Sequence, residues 1–207
     1  MALVKKEKVK PVIRSTSRSG VETSPLRPFL LEKLAPCMDR CPQGTEIRRA
    51  LMTIAQASKY ERPQQDAFAE AWRILTEKNP LPAVCGRVCP HPCEDACNRK
   101  EKDGAVGINS VERFLGDWAL AQGLELTKKL PPEQNDTGGV CVEKVAVIGS
   151  GPAGLSCAYQ LARFGYSVTM FEAFPKAGGM LRYGIPSYRL PRQLLDAEID
   201  RILRLGI

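Results

Sequence analysis

The stretch that most constrains the fold lies near the C-terminal end and reads KVAVIGSGPAGLSCAYQLARFGYSVTMFE, residues 144–172. The apolar run KVAVI predicts a short buried strand, and Gly149-x-Gly151-x-x-Gly154 follows it directly. A helical segment comes next, and a second strand, VTMFE, ends in the acid Glu172. Strand, glycine motif, helix and strand in this order predict a parallel βαβ unit that binds a dinucleotide.

Each residue of this motif has a physical role. Gly149 permits the tight turn, Gly151 lets the backbone approach a pyrophosphate, and Gly154 lets the helix pack closely on the strand. The helix N-terminus adds unpaired N–H groups and the positive end of a dipole. Glu172 is placed to accept a hydrogen bond from a ribose 2′-hydroxyl, which favours FAD or NAD over a 2′-phosphorylated nucleotide.

The residues after Glu172 favour FAD over NAD. A second glycine pair, Gly178-Gly179, follows closely, a spacing more typical of FAD-binding domains. Arg182 and Arg189 add cations near the expected pyrophosphate or flavin, although arginines at such positions are as often simply solvated.

Six of the eight cysteines lie in two proline-containing segments. Both segments contain C-x3-C-P, the end of the bacterial ferredoxin motif, in which successive cysteines ligate iron–sulfur clusters. The prolines exclude one continuous helix through VCGRVCPHPCEDAC. Iron–sulfur ligation is therefore the favoured interpretation for this set: Cys37, Cys41, Cys85, Cys89, Cys93 and Cys97.

Structural zinc and buried, unreactive thiols are the alternatives. Structural zinc usually uses C-x2-C pairs, and the sequence has none. The N-terminus has no signal-peptide apolar core, so metal binding or redox activity is favoured over a disulfide framework as the role of the cysteines. The single histidine, His91, lies between two prolines and is expected to be exposed rather than a ligand, and Cys141 and Cys157 receive no role.

Three amphipathic helices are expected around the cysteines. Thr45 is a candidate cap for TEIRRALMTIAQASKY, and the other two helices are PQQDAFAEAWRILTEKN and INSVERFLGDWALAQ. The apolar faces of these helices are expected to form the hydrophobic core. Packing of the three helices would bring residues 37–41 beside residues 85–97.

Charge and composition bound the remaining possibilities. The net charge is +7, but residues 1–28 alone carry seven basic and two acidic side chains. We therefore expect a basic flexible tail over 1–28 and no nucleic-acid partner. No run approaches the roughly 18 apolar residues of a membrane span, and a cytoplasmic location is expected.

The expected fold class is α + α/β. A helical [4Fe–4S]-binding domain over 29–129 is followed by a linker over 130–140 and by the N-terminal part of a Rossmann-like FAD-binding domain over 141–207. Half a Rossmann sheet leaves a strand edge and a core unfinished. We expect a fragment, or a subunit that another chain completes.

Four stretches resemble one family of iron–sulfur flavoproteins: LAPCMDRCPQGTEI, NPLPAVCGRVCPHPCEDACNR, GINSVERFLGDWA and the whole glycine segment through SYRLP. The family includes the small subunit of NADPH-dependent glutamate synthase, the N-terminal half of dihydropyrimidine dehydrogenase and the large subunit of NADH-dependent ferredoxin:NADP oxidoreductase. The resemblance implies low-potential [4Fe–4S] clusters, then FAD, then an NAD(P)H domain in the complete protein.

By position, the resemblance implies one cluster on Cys41, Cys89 and Cys93, with Glu112 as the fourth ligand. A second family cluster uses Cys37 and Cys97 with an upstream C-x2-C, but residues 1–36 contain no cysteine. One cluster is therefore expected and two remain possible. Cys37 or Cys97 is the alternative to Glu112 as the fourth ligand of this cluster, and Cys85 is the least favoured candidate ligand.

On the flavin side, the resemblance implies a phosphate loop, a ribose acceptor at Glu172 and further FAD contacts. The loop residues are Gly149, Ser150, Gly151, Pro152 and Ala153, and the further contacts are Gly178, Gly179, Met180 and Arg189. The implied function is electron transfer between FAD and a cluster, to or from a partner protein, with no acid–base residue. The alternatives are a non-catalytic, metal-stabilised docking module and an unrelated FAD enzyme, against which the cysteine domain argues.

Overall fold

The computed structural model describes residues 34–128 and 143–207. The predicted tail over 1–28, the linker over 130–140 and Cys141 lie outside the described residues. The helical part contains α1 (Pro36–Arg40), α2 (Ile47–Ala55), a 3-10 turn (Ser58–Tyr60), α3 (Gln64–Thr76), α4 (Pro82–Val88), α5 (Pro92–Asp95) and α6 (Ile108–Ala121). The C-terminal part contains β1 (Lys144–Ile148), α7 (Pro152–Arg163), β2 (Ser167–Phe171), α8 (Met180–Tyr183) and α9 (Arg192–Leu203).

The three predicted amphipathic helices are α2, α3 and α6. Helix α3 buries Ala67, Ala71 and Trp72 along one face, as its periodicity requires. The proposed cap at Thr45 is wrong, because Glu46 is the N-cap of α2 and no side-chain cap is made. The buried Thr45 hydroxyl instead lies 3.5 Å from the Cys41 thiol.

Helices α4 and α6 pack backbone against backbone through two glycines. A methyl group at Gly86 would lie 2.4 Å from Cα of Arg113, and one at Gly116 would lie 2.4 Å from the nitrogen of Ala83. At the same interface Arg87 forms a bidentate ion pair with Asp117, at 2.8 and 2.9 Å. The cysteine-bearing helix α4 is thus held rigidly on α6.

The cysteine segment is two short helices rather than one, as the prolines predict. Helix α4 ends at Val88 and α5 begins at Pro92. Between them His91 adopts a left-handed conformation with φ of +44°, a region that non-glycine residues occupy uncommonly. The chain therefore reverses sharply between Cys89 and Cys93.

The C-terminal part is the expected βαβ unit. Strands β1 and β2 pair in parallel, with Val145 opposite Val168 and Ile148 opposite Phe171, and α7 crosses between them. Leu155, Ala158 and Tyr159 of α7 are buried. The helical and Rossmann-like segments together match the predicted fold class.

The two parts share one hydrophobic core, in which Trp72 and Leu115 belong to the same cluster as Leu155 and Leu195. A polar contact also joins the helical part to the C-terminal part. The hydroxyl of Tyr159 donates to the carbonyl of Thr76 at the end of α3. None of the helices described over 34–128 and 143–207 is long and apolar enough to cross a membrane.

Candidate iron–sulfur and dinucleotide sites

Helices α2, α4, α5 and α6 enclose a cavity of about 270 Å³. Four thiols and one carboxylate line it: Cys41, Cys85, Cys89, Cys93 and Glu112. Apolar side chains form much of the rest of the wall, including Ile47, Leu51, Ile108 and Leu115. Among the described residues, no three His, Cys, Asp or Glu side chains converge as they would around a single ion. The thiol and carboxylate donors are thus spread around the cavity wall and do not converge on one point.

Local backbone structure places each thiol. Cys41 follows directly after α1, Cys89 follows α4, and Cys93 lies in α5. The N–H of His91 points at the Cys89 sulfur over 3.3 Å. That N–H is available because the sharp reversal at His91 interrupts the helix.

The electrostatics of the cavity suit a cationic iron centre. Burial, followed by the negative charges of the neighbouring Cys89 and Glu94, raises the pKa of the Cys93 thiol to about 11. Burial likewise raises the pKa of Cys89, with added repulsion from Glu112 and Cys41. These groups repel one another when ionised, and bound iron would offset that repulsion. The donor set therefore fits an iron–sulfur cluster.

Glu112 and Cys85 share one neighbour, Asn79. The Asn79 side-chain amide donates to Glu112 Oε1 over 2.8 Å, and the Cys85 sulfur lies 3.5 Å from Asn79 Oδ1. Burial raises the pKa of Glu112 to about 7 and that of Cys85 to about 12.

Two predicted ligands lie elsewhere. Cys37 and Cys97 are not among the described residues that line the cavity. They lie near each other, since the charge of Cys97 helps to raise the pKa of Cys37, which burial raises most. Backbone N–H groups, chiefly that of Val106, lower the pKa of Cys97. The structure thus groups Cys41, Cys85, Cys89, Cys93 and Glu112 around the cavity, and Cys37 and Cys97 lie outside this group.

The glycine loop has the geometry that its sequence predicts. Gly149 has φ of +91°, and a methyl group at Gly154 would lie 1.9 Å from the Gly149 carbonyl oxygen. A methyl group at Gly151 would meet no protein atom within 4 Å, so its open side is free for a ligand to approach. Pro152 and Ala153 form the first turn of α7.

Glu172 follows β2 and is held against this loop. It accepts the Ser150 N–H at 2.8 Å, the Ser150 hydroxyl and the Phe174 N–H at 2.9 Å. The hydrogen bond from the Ser150 hydroxyl is the chief cause that lowers the pKa of Glu172 to about 2. An ionised carboxylate has lone pairs for further donors such as a ribose hydroxyl.

The second glycine pair packs directly on the loop. The Gly178 N–H donates to the Ser150 carbonyl at 3.0 Å, and a methyl group at Gly179 would lie 2.7 Å from Cα of Gly151. Both glycines have positive φ, +125° and +49°. Nearby, Met180 is 70% exposed.

The two arginines of this region differ. Arg182 is buried, forms an ion pair with Asp196 and donates to the Ala177 carbonyl, so solvation does not explain it. Arg189 is exposed. Asn79 and the backbone of His91 are site features that motif reasoning missed. The signal for Asn79 was its position directly before Pro80, at the entry to the cysteine segment.

Comparisons with known proteins agree with this geometry. Residues 31–124 match the family model described as dihydropyrimidine dehydrogenase domain II, 4Fe-4S cluster, and residues 147–195 match a NAD(P)-binding Rossmann-like domain. The chain is similar to the NADPH-Fe(3+) oxidoreductase subunit beta of Geobacter sulfurreducens, with 41% identity over 86% of this chain and 25% of the relative.

Two further relatives are similar over comparable lengths. The NADP(+)-dependent formate dehydrogenase subunit beta of Moorella thermoacetica is 40% identical over 87% of this chain and 26% of the relative. The NAD-dependent dihydropyrimidine dehydrogenase subunit PreT of Escherichia coli is 38% identical over 84% of this chain and 38% of the relative. The chain thus spans about a quarter to two fifths of the length of these relatives. The chain thus joins a region that matches the dihydropyrimidine dehydrogenase-type [4Fe–4S] domain to a region that matches the Rossmann-like NAD(P)-binding domain.

Proposed function

We propose that this chain is the electron-transfer part of an NAD(P)H-dependent iron–sulfur flavoprotein. It would pass electrons between FAD at the glycine loop and one [4Fe–4S] cluster, to or from a redox partner protein. The ligands would be Cys41, Cys89, Cys93 and Glu112. The observation that carries the proposal is the cavity that gathers these four donors within a helical domain packed on the dinucleotide segment.

The side chains and backbone of this chain would bind and orient the cluster and the nucleotide. Cys41, Cys89 and Cys93 would hold iron, and the apolar wall around them excludes water, which sets the potential of a bound cluster. When bound, the cluster supplies one-electron transfer, and FAD converts hydride equivalents into single electrons. Gly151 and the first turn of α7 would face the pyrophosphate.

FAD is proposed for this loop although the matching family model is described as NAD(P)-binding. The support is the second glycine pair, whose backbone packs on Gly151 and forms a second wall beside the loop. NAD(P)H would bind in the remainder of the flavoprotein, which the greater length of the relatives leaves room for.

The test is an anaerobic absorption spectrum before and after dithionite, with the released nucleotide identified after denaturation. A broad visible band that bleaches on reduction, together with released FAD, is the expected result. A colourless protein with stoichiometric zinc would overturn the redox function in favour of a metal-stabilised docking module. A bleachable band with bound NAD(P) and no FAD would overturn the flavin assignment alone.

A further inference from the structure

Asn79 is a buried polar residue at the cavity to which neither family motif assigns a role. It lies between α3 and α4, is 2% exposed and lines the cavity. Its backbone N–H donates to the Leu75 carbonyl at 3.0 Å, so the end of α3 sets its position. The following Pro80 restricts its backbone further.

The orientation of the Asn79 amide is determined by its neighbours. Its oxygen accepts the Leu81 N–H at 3.1 Å and lies 3.5 Å from the Cys85 sulfur. A flipped amide would place its NH2 against the Leu81 N–H, donor against donor. The NH2 group therefore points at Glu112, 2.8 Å from Oε1.

This contact leaves Glu112 with one oxygen held and one available. Glu112 lies on α6, 33 residues along the chain, and lines the same cavity as the three cysteines. Among residues 34–128 and 143–207 its second oxygen, Oε2, receives no hydrogen bond. Hydrogen bonds of this kind orient ligating carboxylates in metal sites.

We propose that Asn79 is a positioning residue that holds Glu112 Oε1 and thereby presents Oε2 to the iron–sulfur cluster. Cys85 belongs to the same network as a thiol donor to Asn79 and is not a ligand. This inference rests on the ligand set of the proposed function.

The test uses Asn79→Asp in the whole chain. Aspartate keeps the shape and an acceptor for the Leu81 N–H but removes the donor to Glu112. Loss of such a partner typically weakens metal binding about 10- to 100-fold. We expect iron release to a chelator to accelerate within that range and the electron paramagnetic resonance spectrum of the reduced cluster to change.

Asn109→Asp is the matched control. Asn109 lines the same cavity, but its amide donates to the Cys85 carbonyl at 3.2 Å instead of to Glu112. The control adds the same charge to the same cavity but leaves the contact with Glu112 intact, so it should change the spectrum and accelerate iron release less than Asn79→Asp does. If Asn79→Asp and Asn109→Asp behave alike while Glu112→Ala alters the spectrum, Asn79 has no positioning role. If Glu112→Ala itself leaves the spectrum unchanged, the ligand assignment fails as well.

Two double variants separate positioning from folding. In the Glu112→Ala background, Asn79→Asp should have no further effect on the spectrum, because the carboxylate it acts through is absent. Should Asn79→Asp alone fail to fold, Asn79→Asp/Glu112→Gln reverses the hydrogen bond and should restore both folding and cluster retention. A persistent Asn79 effect without Glu112, or no rescue by the reversed pair, would overturn the proposal.

Discussion

The carboxylate of Glu198 accepts the backbone N–H of Ala83 at 2.9 Å, although 115 residues separate them. Its other oxygen accepts the N–H of Val84 at the same distance. Glu198 lies on α9 of the Rossmann-like part and is fully buried, while Ala83 and Val84 lie in the first turn of helix α4, which ends beside Cys89. One side chain thus ties the dinucleotide segment to the helix that leads to the cluster cavity.

Replacing Glu198 should loosen this tie. In Glu198→Gln one of the two buried N–H groups loses its acceptor, which costs about 1–3 kcal/mol of the free energy of unfolding. Hydrogen exchange should accelerate in the peptide over residues 81–88, and the melting temperature should fall. The control is Glu125→Gln, whose ion pair with Arg204 is exposed on both sides and should contribute little. Equal exchange in the two variants would refute the tie.

Glu198 also predicts a pH dependence of stability. Burial, above all, raises its pKa to about 7 in the folded protein, against the lowering effects of the Ala83 and Val84 N–H groups and of Arg201. The folded state therefore binds more protons than the unfolded state between pH 4.5 and 7. The contribution of Glu198 to stability is fully present below pH 4.5 and is lost as the pH rises through 7.

Thermal melting at several pH values tests whether the contribution of Glu198 to stability falls as the pH rises. Glu112, whose pKa burial also raises to about 7, is present in both proteins, so the comparison isolates the contribution of Glu198. The wild-type protein should lose more stability between pH 4.5 and 7 than Glu198→Gln does. A steeper loss in the variant would mean that Glu198 is ionised throughout the range.

The glycine loop offers a pair of variants with different expected defects. Gly151 has φ of −68° and open space for a methyl group, so Gly151→Ala should fold normally but block the approach of a pyrophosphate. Gly154→Ala would push a methyl group into the Gly149 carbonyl and distort the loop itself. We expect both to lose bound flavin, measured by fluorescence after release, but only Gly154→Ala to melt earlier.

Gly107→Ala is the control for this pair. Gly107 also has negative φ, −71°, and its added methyl group would meet nothing closer than 3.8 Å. Gly107 lies outside the glycine loop, so the Gly107→Ala variant should retain its bound flavin. Flavin retention in Gly151→Ala would place the pyrophosphate somewhere other than this loop.

Glu172 should bind its ligand through a charge that is constant over the usual pH range. Hydrogen bonds from Ser150 and Phe174 lower its pKa to about 2. The contribution of its charge is therefore present above the ordinary carboxyl pKa and disappears only as the pH falls through about 2. Glu172→Gln should weaken flavin binding by the same factor at pH 5 and pH 8, measured by titration of the apoprotein. A factor that changes between these pH values would contradict a permanently ionised Glu172.

The sequence predicted what depends on local patterns. The roles of Gly149 and Gly154 follow from a turn and a close approach that only glycine allows, and the break between Cys89 and Cys93 follows from proline. Glu112 was expected near the cysteines from family resemblance alone, since no local pattern links α6 to them; it lines the same cavity, and its role as a ligand stays a prediction.

Other features depend on contacts between distant residues. Glu198 lies within the charged helix RQLLDAEIDRIL, and nothing local distinguishes a buried carboxylate there from an exposed one. Thr45 is a good cap by residue type, but the chain reversal after Cys41 places its hydroxyl beside the thiol instead. Asn79 gains its role only when α3 and α6 pack together.

The presence of one [4Fe–4S] cluster in the cavity is tested by the iron and acid-labile sulfide content of anaerobically purified protein, compared among single cysteine variants. The wild-type protein should contain four iron atoms per chain, the content of one [4Fe–4S] cluster. Cys89→Ser should lose most of this iron, whereas Cys37→Ser and the exposed Cys157→Ser should retain it. Iron that survives Cys89→Ser but is lost with Cys37→Ser would contradict the assignment of the cluster to the cavity between α2, α4, α5 and α6.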